Sequence, residues 1–213
     1  MNGTITGASV VGGIAGKNLT TGTIRYCSVD LNSVEGEYIV GGIVGANSGT
    51  VDQCYYKSIS SNGNICAFYN SYQYEPSQVG GIVGDNYSGG VVSNCFVNSG
   101  GYLYTNYAGG GVVGYNRSGA QVKNCWVNWN VQPVQYNYYA GNNGRGIGLN
   151  EGSTSQNYAV VTSSAGTTEN GFIRALASTV TGWTPTNHPS NWSTDIWLFK
   201  SGSAPSLKNW NKG

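Results

Sequence analysis

Val79-Gly80-Gly81-Ile82-Val83-Gly84-Asp85-Asn86 is a stretch that the chain writes in five versions. Val40-Gly41-Gly42-Ile43-Val44-Gly45 repeats it, and Val11-Gly12-Gly13-Ile14-Ala15-Gly16 is an earlier copy. Gly109-Gly110-Gly111-Val112-Val113-Gly114 follows, and Asn143-Gly144-Arg145-Gly146-Ile147-Gly148 is a degenerate fifth. Two residues past each phrase stands an asparagine: Asn18, Asn47, Asn86, Asn116 and Asn150, spaced 29, 39, 30 and 34 residues apart. A glycine comes next in each copy (Gly22, Gly49, Gly89, Gly119, Gly152). A short apolar stretch then ends at Cys27, Cys54, Cys95 and Cys125, with Tyr158 read in that place in the fifth copy. Agreement at several offsets marks a true repeat rather than low complexity.

Each unit offers two apolar stretches, such as Gly81 to Val83 and Val91 to Val97, and a variable third, such as Tyr102 to Tyr107. These are strand-length pieces separated by Gly, Asn and Ser. No helix-length period of 3.6 appears in the first 160 residues. A unit of about 30 residues with three short strands predicts one coil of a parallel β-solenoid. Coils stack at the inter-strand spacing of ~4.8 Å, so equivalent residues lie above one another. Glycines then supply positive φ at corners or let coils approach closely. The asparagines form an amide ladder, and Val, Ile and Cys fill a narrow interior. The expected fold is all-β: a parallel, three-sided solenoid of about five coils over residues 1–161, with three strands per turn favouring the right-handed form.

Composition agrees. The 213 residues include 34 glycines, about twice the usual share, and only 9% are charged against roughly 25% in an average protein. Gly-rich sequence argues against a helical bundle. A net charge of +1 with 12% aromatics argues against charge-driven disorder. Ten Lys/Arg balanced by nine Asp/Glu form no basic run, so no nucleic-acid partner is expected. No apolar run of about 18 residues predicts membrane insertion. Met1-Asn2-Gly3-Thr4 lacks the basic and apolar regions of a signal peptide.

The phrase at 79–86, followed by Gly89-Gly90-Val91-Val92-Ser93-Asn94-Cys95-Phe96, closely resembles the GLUG motif. That repeat belongs to large secreted and surface proteins of bacteria, including adhesins and non-catalytic parts of some immunoglobulin-A-cleaving metallopeptidases. The resemblance runs over residues 8 to 161 and implies an extracellular or cell-surface setting, without catalytic residues to carry over. Copy one departs with Ala15 and Ser28 where other copies have Val and an aromatic, and copy five lacks the cysteine. Atypical end repeats are expected where stacking stops.

Residues 162–213 differ in character. Phe172, Ile173, Leu176 and Ala177 offer a helical face within Asn170 to Thr179, followed by Trp183, Trp192, Trp197 and Trp210 among prolines. This segment is read as a cap with a short helix, placed to cover the terminal strand edge.

Reactive groups are scarce. Stacking brings neighbouring cysteines within disulfide reach, about 4.4–6.8 Å between Cα atoms, but parallel side chains rarely reach the needed torsion, so a buried thiol ladder is the expectation. Cys66 lies outside the row. No Cys-x-x-Cys, His-Glu-x-x-His or acidic calcium coil occurs, and the single histidine is His188, so no cofactor or metal is implied. Gly109 to Gly114 matches Gly-x-Gly-x-x-Gly, yet lacks the following helix and acid of a dinucleotide site. Among the acids, Glu35 and Glu37 share a face if their segment is a strand, and a glycosidase pair needs about 5–9.5 Å between carboxyls. The acids are otherwise read as solvated loop residues, with Asp85 beside Asn86 a calcium candidate. A β-helix carbohydrate-active enzyme therefore ranks last.

Function is expected in the insertions. Tyr69, Tyr72 and Tyr74 lie in one, Tyr102, Tyr104 and Tyr107 in the next, and Trp129, Tyr136, Tyr138 and Tyr139 in another, with Trp126 at its start. Tyr and Trp supply rigid contact area, and interspersed Asn, Gln and Ser supply adaptable hydrogen bonds. The expected activity is non-catalytic binding of a cell-surface glycan or protein receptor, including by a phage receptor-binding tip. The competing expectation is a structural spacer or fibre subunit that self-associates end to end.

Overall fold

A computed structural model describes residues 3–58, 64–67, 76–98, 101–128, 142–161 and 168–208, with the backbone of 133–135. The chain winds through five parallel sheets, and each coil gives one strand to each sheet in turn. Sheet A stacks Thr4–Thr6, Ser33–Gly36, Asn64–Ala67, Tyr102–Thr105 and Pro133–Gln135. Sheet B stacks Val10–Gly12, Ile39–Gly41, Gln78–Gly80, Ala108–Gly110 and Asn142–Gly144. Sheet C holds Ala15–Asn18, Val44–Asn47, Val83–Asn86, Val113–Asn116 and Ile147–Asn150. Sheet D holds Thr23–Arg25, Thr50–Asp52, Val91–Ser93, Gln121–Lys123 and Ser153–Ser155. Sheet E begins with Ser28–Leu31, Tyr55–Ser58, Phe96–Val97, Trp126–Val127 and Asn157–Val161.

The parallel solenoid of five coils is therefore as the repeat predicts, but each coil makes five short strands rather than three. The stretch Val91 to Val97 breaks at Asn94, whose φ of 51° turns the chain between sheets D and E. Tyr26, Gln53, Asn124 and Gln156 occupy the same corner with φ of 52–58°. A left-handed non-glycine residue costs roughly 1–2 kcal/mol, so this corner is a stacked column of strained residues. Its hydrogen bonds offset that cost: Asn94 N–H donates to Lys123 O at 3.1 Å, and Asn124 N–H to Ser155 O at 3.0 Å.

The phrase glycines act by closeness, since positive φ among glycines occurs at Gly89, Gly119, Gly171 and Gly202 and not in the phrases. A Cβ on Gly42 would run into the Gly81 carbonyl oxygen, and one on Gly81 into that of Gly111. The asparagine ladder forms in register. Asn18 Nδ2 donates to Asn47 Oδ1 at 2.8 Å, Asn47 to Asn86 at 2.8 Å, Asn86 to Asn116 at 2.9 Å, and Asn116 to Asn150 at 2.8 Å. Asn47, Asn86 and Asn116 are fully buried, so the ladder supplies the partners that their burial demands.

The bore holds Val, Ile and the cysteine row. Cys54, Cys95 and Cys125 are wholly buried and all five cysteines are free thiols. Each row thiol donates to the carbonyl two residues back, at 3.1–3.3 Å. Burial pushes the Cys95 thiol far up. In the fifth coil the row continues at Asn157, not Tyr158, because Tyr158 pairs in register with Trp126. Asn157 is fully buried, accepting from Cys125 N–H at 3.0 Å and donating to Val122 O at 2.9 Å.

The C-terminal segment also differs from expectation. Phe172–Leu176 is a strand, parallel to Asn157–Val161, and only Ala177–Thr181 is helical. Phe172 plugs the end of the bore against Gly146. Asn170 Nδ2 donates to Ile147 O and Gly148 O at 3.1 and 2.7 Å, capping sheet C. Beyond the helix the chain folds back along the flank. Outward residues of sheet E, Tyr55, Phe96 and Trp126, stack with ring centroids 4.7 and 5.2 Å apart. Trp183, Trp192, Trp197, Phe199 and Leu207 bury this stack. The cap thus covers a side as well as an end.

Candidate ligand-binding face

Sheet A points Ile5, Val34, Ile65 and Leu103 into the bore. Strand alternation therefore turns their neighbours outward. One outward column is Thr4, Ser33, Asn64 and Tyr102; the other is Thr6, Glu35, Cys66 and Tyr104. Tyr102 is 36% exposed, and its ring lies 6.0 Å from that of Tyr104 at 45°. Ser33 Oγ donates to Glu35 Oε1 at 2.8 Å and lies 3.0 Å from Thr4 Oγ1. Burial, and then the Glu35 charge, push the Cys66 thiol up to about 12. Cys66 is therefore protonated near neutrality.

Two expected binding residues meet here, Tyr102 and Tyr104. Tyr107 does not join them. It turns around the corner and meets Tyr115 edge-on, with centroids 6.5 Å apart. Tyr69, Tyr72, Tyr74, Trp129, Tyr136, Tyr138 and Tyr139 lie outside the described residues. Trp126 is buried under the cap instead of displayed. A cue to this was present in the sequence: Tyr55, Phe96 and Trp126 each directly follow a row cysteine.

Two acids, Asp85 and Asp52, correct the reading of solvated loop carboxylates. Asp85 is fully buried and held by Arg117, with Nε and Nη2 contacts of 2.7–3.1 Å. The Arg117 guanidinium also sits over the Tyr115 and Tyr87 rings, at 4.4 and 4.8 Å. Burial pushes the Asp85 pKa up against the opposing pull of Arg117. Tyr115 is pushed up to about 12 by burial and by its hydrogen bond with Glu151. Asp52 is buried and receives Ser93 Oγ and Asn94 Nδ2, each at 2.7 Å, Gln53 Nε2 at 3.0 Å, and Arg25 Nε at 3.0 Å. These saturated carboxylates fasten one coil to the next and have no lone pairs left aimed at a ligand. Glu37 lies past the end of the strand that holds Glu35, so the two do not share a strand face.

The remaining chemistry is dispersed. His188 stacks on Phe199 in the cap, with centroids 4.5 Å apart, while the row thiols face the bore. Among the described residues, no three His, Cys, Asp or Glu side chains gather as a metal site, and no helix is long and apolar enough to cross a membrane.

Residues 7–34 match the family model described as the GLUG motif, a span that covers most of the first coil. No curated protein and no solved structure matches the chain.

Proposed function

We propose that this chain, a GLUG-motif repeat protein, is a non-catalytic recognition module that offers the outer face of sheet A to a glycan or protein on another surface, outside the cell. The observation that carries this reading is the Tyr102–Tyr104 pair, set on the outer face of sheet A in register with Asn64 and Cys66. The insertion 68–75 follows the third strand of this sheet directly, and Tyr136, Tyr138 and Tyr139 follow the fifth. Two aromatic contacts contribute about 1 kcal/mol each beyond their area. The variant Tyr102→Ala/Tyr104→Ala is therefore expected to lose at least about tenfold in affinity for cells or arrayed glycans. Undiminished binding by a variant with parental thermal stability would remove this face from consideration.

The first coil favours a second reading, an assembling subunit. Among the described residues, the coil-one strands of all five sheets pair on one side only. Ile14, Leu19 and Tyr26 at that end are 47%, 70% and 55% exposed. Unpaired strand edges beside exposed apolar side chains invite another chain. Sedimentation across a range of concentrations is expected to show association that Leu19→Lys weakens. A monomer at every concentration would leave recognition as the sole reading.

A further inference from the structure

We infer that the ligand of sheet A is an uncharged, hydroxyl-rich chain, a neutral glycan rather than a uronate, sialylated or sulfated one; this rests on sheet A being the binding face. The inference comes from where the ten basic residues are. Segments 1–16, 26–56, 58–116 and 124–144 contain neither Lys nor Arg. Those segments hold all five strands of sheet A and every insertion that enters or leaves it. Basic groups are placed elsewhere. Arg25 is engaged by Asp52, Arg117 by Asp85, and Lys57 lines a crevice on the sheet E flank with Pro205.

The charge on the outward columns of sheet A is acidic. Glu35 stands in an outward column of sheet A, and Glu75 ends the insertion that follows the third strand. Recognition of carboxylate or sulfate relies on Arg or Lys donors, and none is available in these segments. An anionic chain laid here would meet Glu35 with like charge and no compensating cation.

The rest of the surface suits hydroxyls. Through coils one to four the outward columns carry Thr, Ser, Asn, Glu and Cys, then the two tyrosines. None of these residues is Leu, Ile, Val or Met, and the backbone register brings Val134 of the fifth coil into line after Tyr104; the buried centre of a protein–protein interface is depleted in charge and more apolar. Hydroxyls and amides both donate and accept; Thr4 and Thr6 are exposed and Glu35 and Asn64 half-buried, while Ser33 is buried and already donates to Glu35. The tyrosine rings supply an apolar platform for the C–H faces of a sugar at one end of the row. A linear chain would run along the solenoid axis, across the strands.

The test is a panel of immobilised polysaccharides: neutral β-glucan, galactan and mannan against polygalacturonate, hyaluronate and heparin. The parent protein and Tyr102→Ala/Tyr104→Ala are both applied, at low salt and at roughly tenfold higher salt. Retention on at least one neutral polymer is expected, at least tenfold above any acidic one, unchanged by salt and lost in the variant. Retention on an acidic polymer that vanishes in the variant would overturn neutrality while leaving the face in place. Retention that survives in the folded variant, or none on any polymer, would overturn the face and the inference with it. The neutral-against-acidic comparison is made on the parent protein, so it does not depend on the variant folding.

Discussion

Gly81→Ala is expected to prevent the chain from reaching its stacked fold, or to leave it destabilised by about 4 kcal/mol or more, a large share of the 5–15 kcal/mol that holds a domain together. The added methyl would overlap the Gly111 carbonyl oxygen of the next coil and lie 2.8 Å from Val97 Cγ2. That oxygen belongs to a backbone fixed by its own bonds: Gly81 N–H donates to Gly110 O at 3.2 Å and Ile82 N–H to Val112 O at 2.9 Å. Relief would require the two coils to separate, and separation breaks the amide ladder on one side and the bore packing on the other. Gly182→Ala is the control. At φ −82° its nearest obstacle is Ser178 O at 3.0 Å, so its effect should stay within about 1 kcal/mol. Chemical denaturation of the two variants checks the contrast, and equal midpoints would show that close approach at Gly81 is not what the repeat protects.

The second large effect is expected from Arg117→Met. This change leaves the fully buried Asp85 carboxylate without its cation. Breaking one side of a buried pair costs about 3–5 kcal/mol, and the low end of that range is expected here because the Arg117 side chain is 36% exposed. Replacing both partners should cost much less, so Arg117→Met/Asp85→Leu is expected to recover most of the loss. The pH dependence gives a separate signature. Burial already pushes Asp85 up, and removing Arg117 removes the opposing pull. A carboxyl whose folded pKa lies above its unfolded value binds its proton more tightly when folded. Its presence therefore costs least at low pH, and stability falls as pH rises through the folded pKa. The single variant should close part of its gap to the parent between about pH 7 and pH 4. A gap that is constant over that range would mean that Asp85 is not the group left stranded.

Most of the scaffold could be read from residues alone. The Gly phrases, the asparagine row and the cysteine row are each a column once coils are stacked. What stayed hidden depended on conformation or on distance. The D–E corner was invisible because its left-handed residues are Tyr26, Gln53, Asn94, Asn124 and Gln156, not glycine. Counting from that corner places Asn157 in the cysteine row, whereas counting from apolar character picks Tyr158. Asp85 looks like a loop acid until one coil is added, which brings Arg117 beside it. The helical pattern at Phe172, Ile173 and Leu176 yields to a strand, because the edge at Asn157–Val161 offers a full set of backbone partners. The flank covered by Trp192 and Trp197 was beyond reach, since nothing near them in sequence names Phe96 and Trp126 as their neighbours. Of the expected binding residues, Tyr102 and Tyr104 follow from strand alternation alone, while Tyr107 turns away only because the chain corners between sheets A and B.

The asparagine row has one further property. Every link in it points the same way, from the amide nitrogen of one coil to the amide oxygen of the next. Five side-chain dipoles therefore add instead of cancelling, and the scaffold carries a built-in vector. Asn18 closes it with an acceptor and Asn150 with a donor. Growth or loss of this architecture is thereby quantised: whole coils in the same orientation can be added or taken out with the vector intact, while a partial or reversed coil would set like atoms face to face in a dry interior.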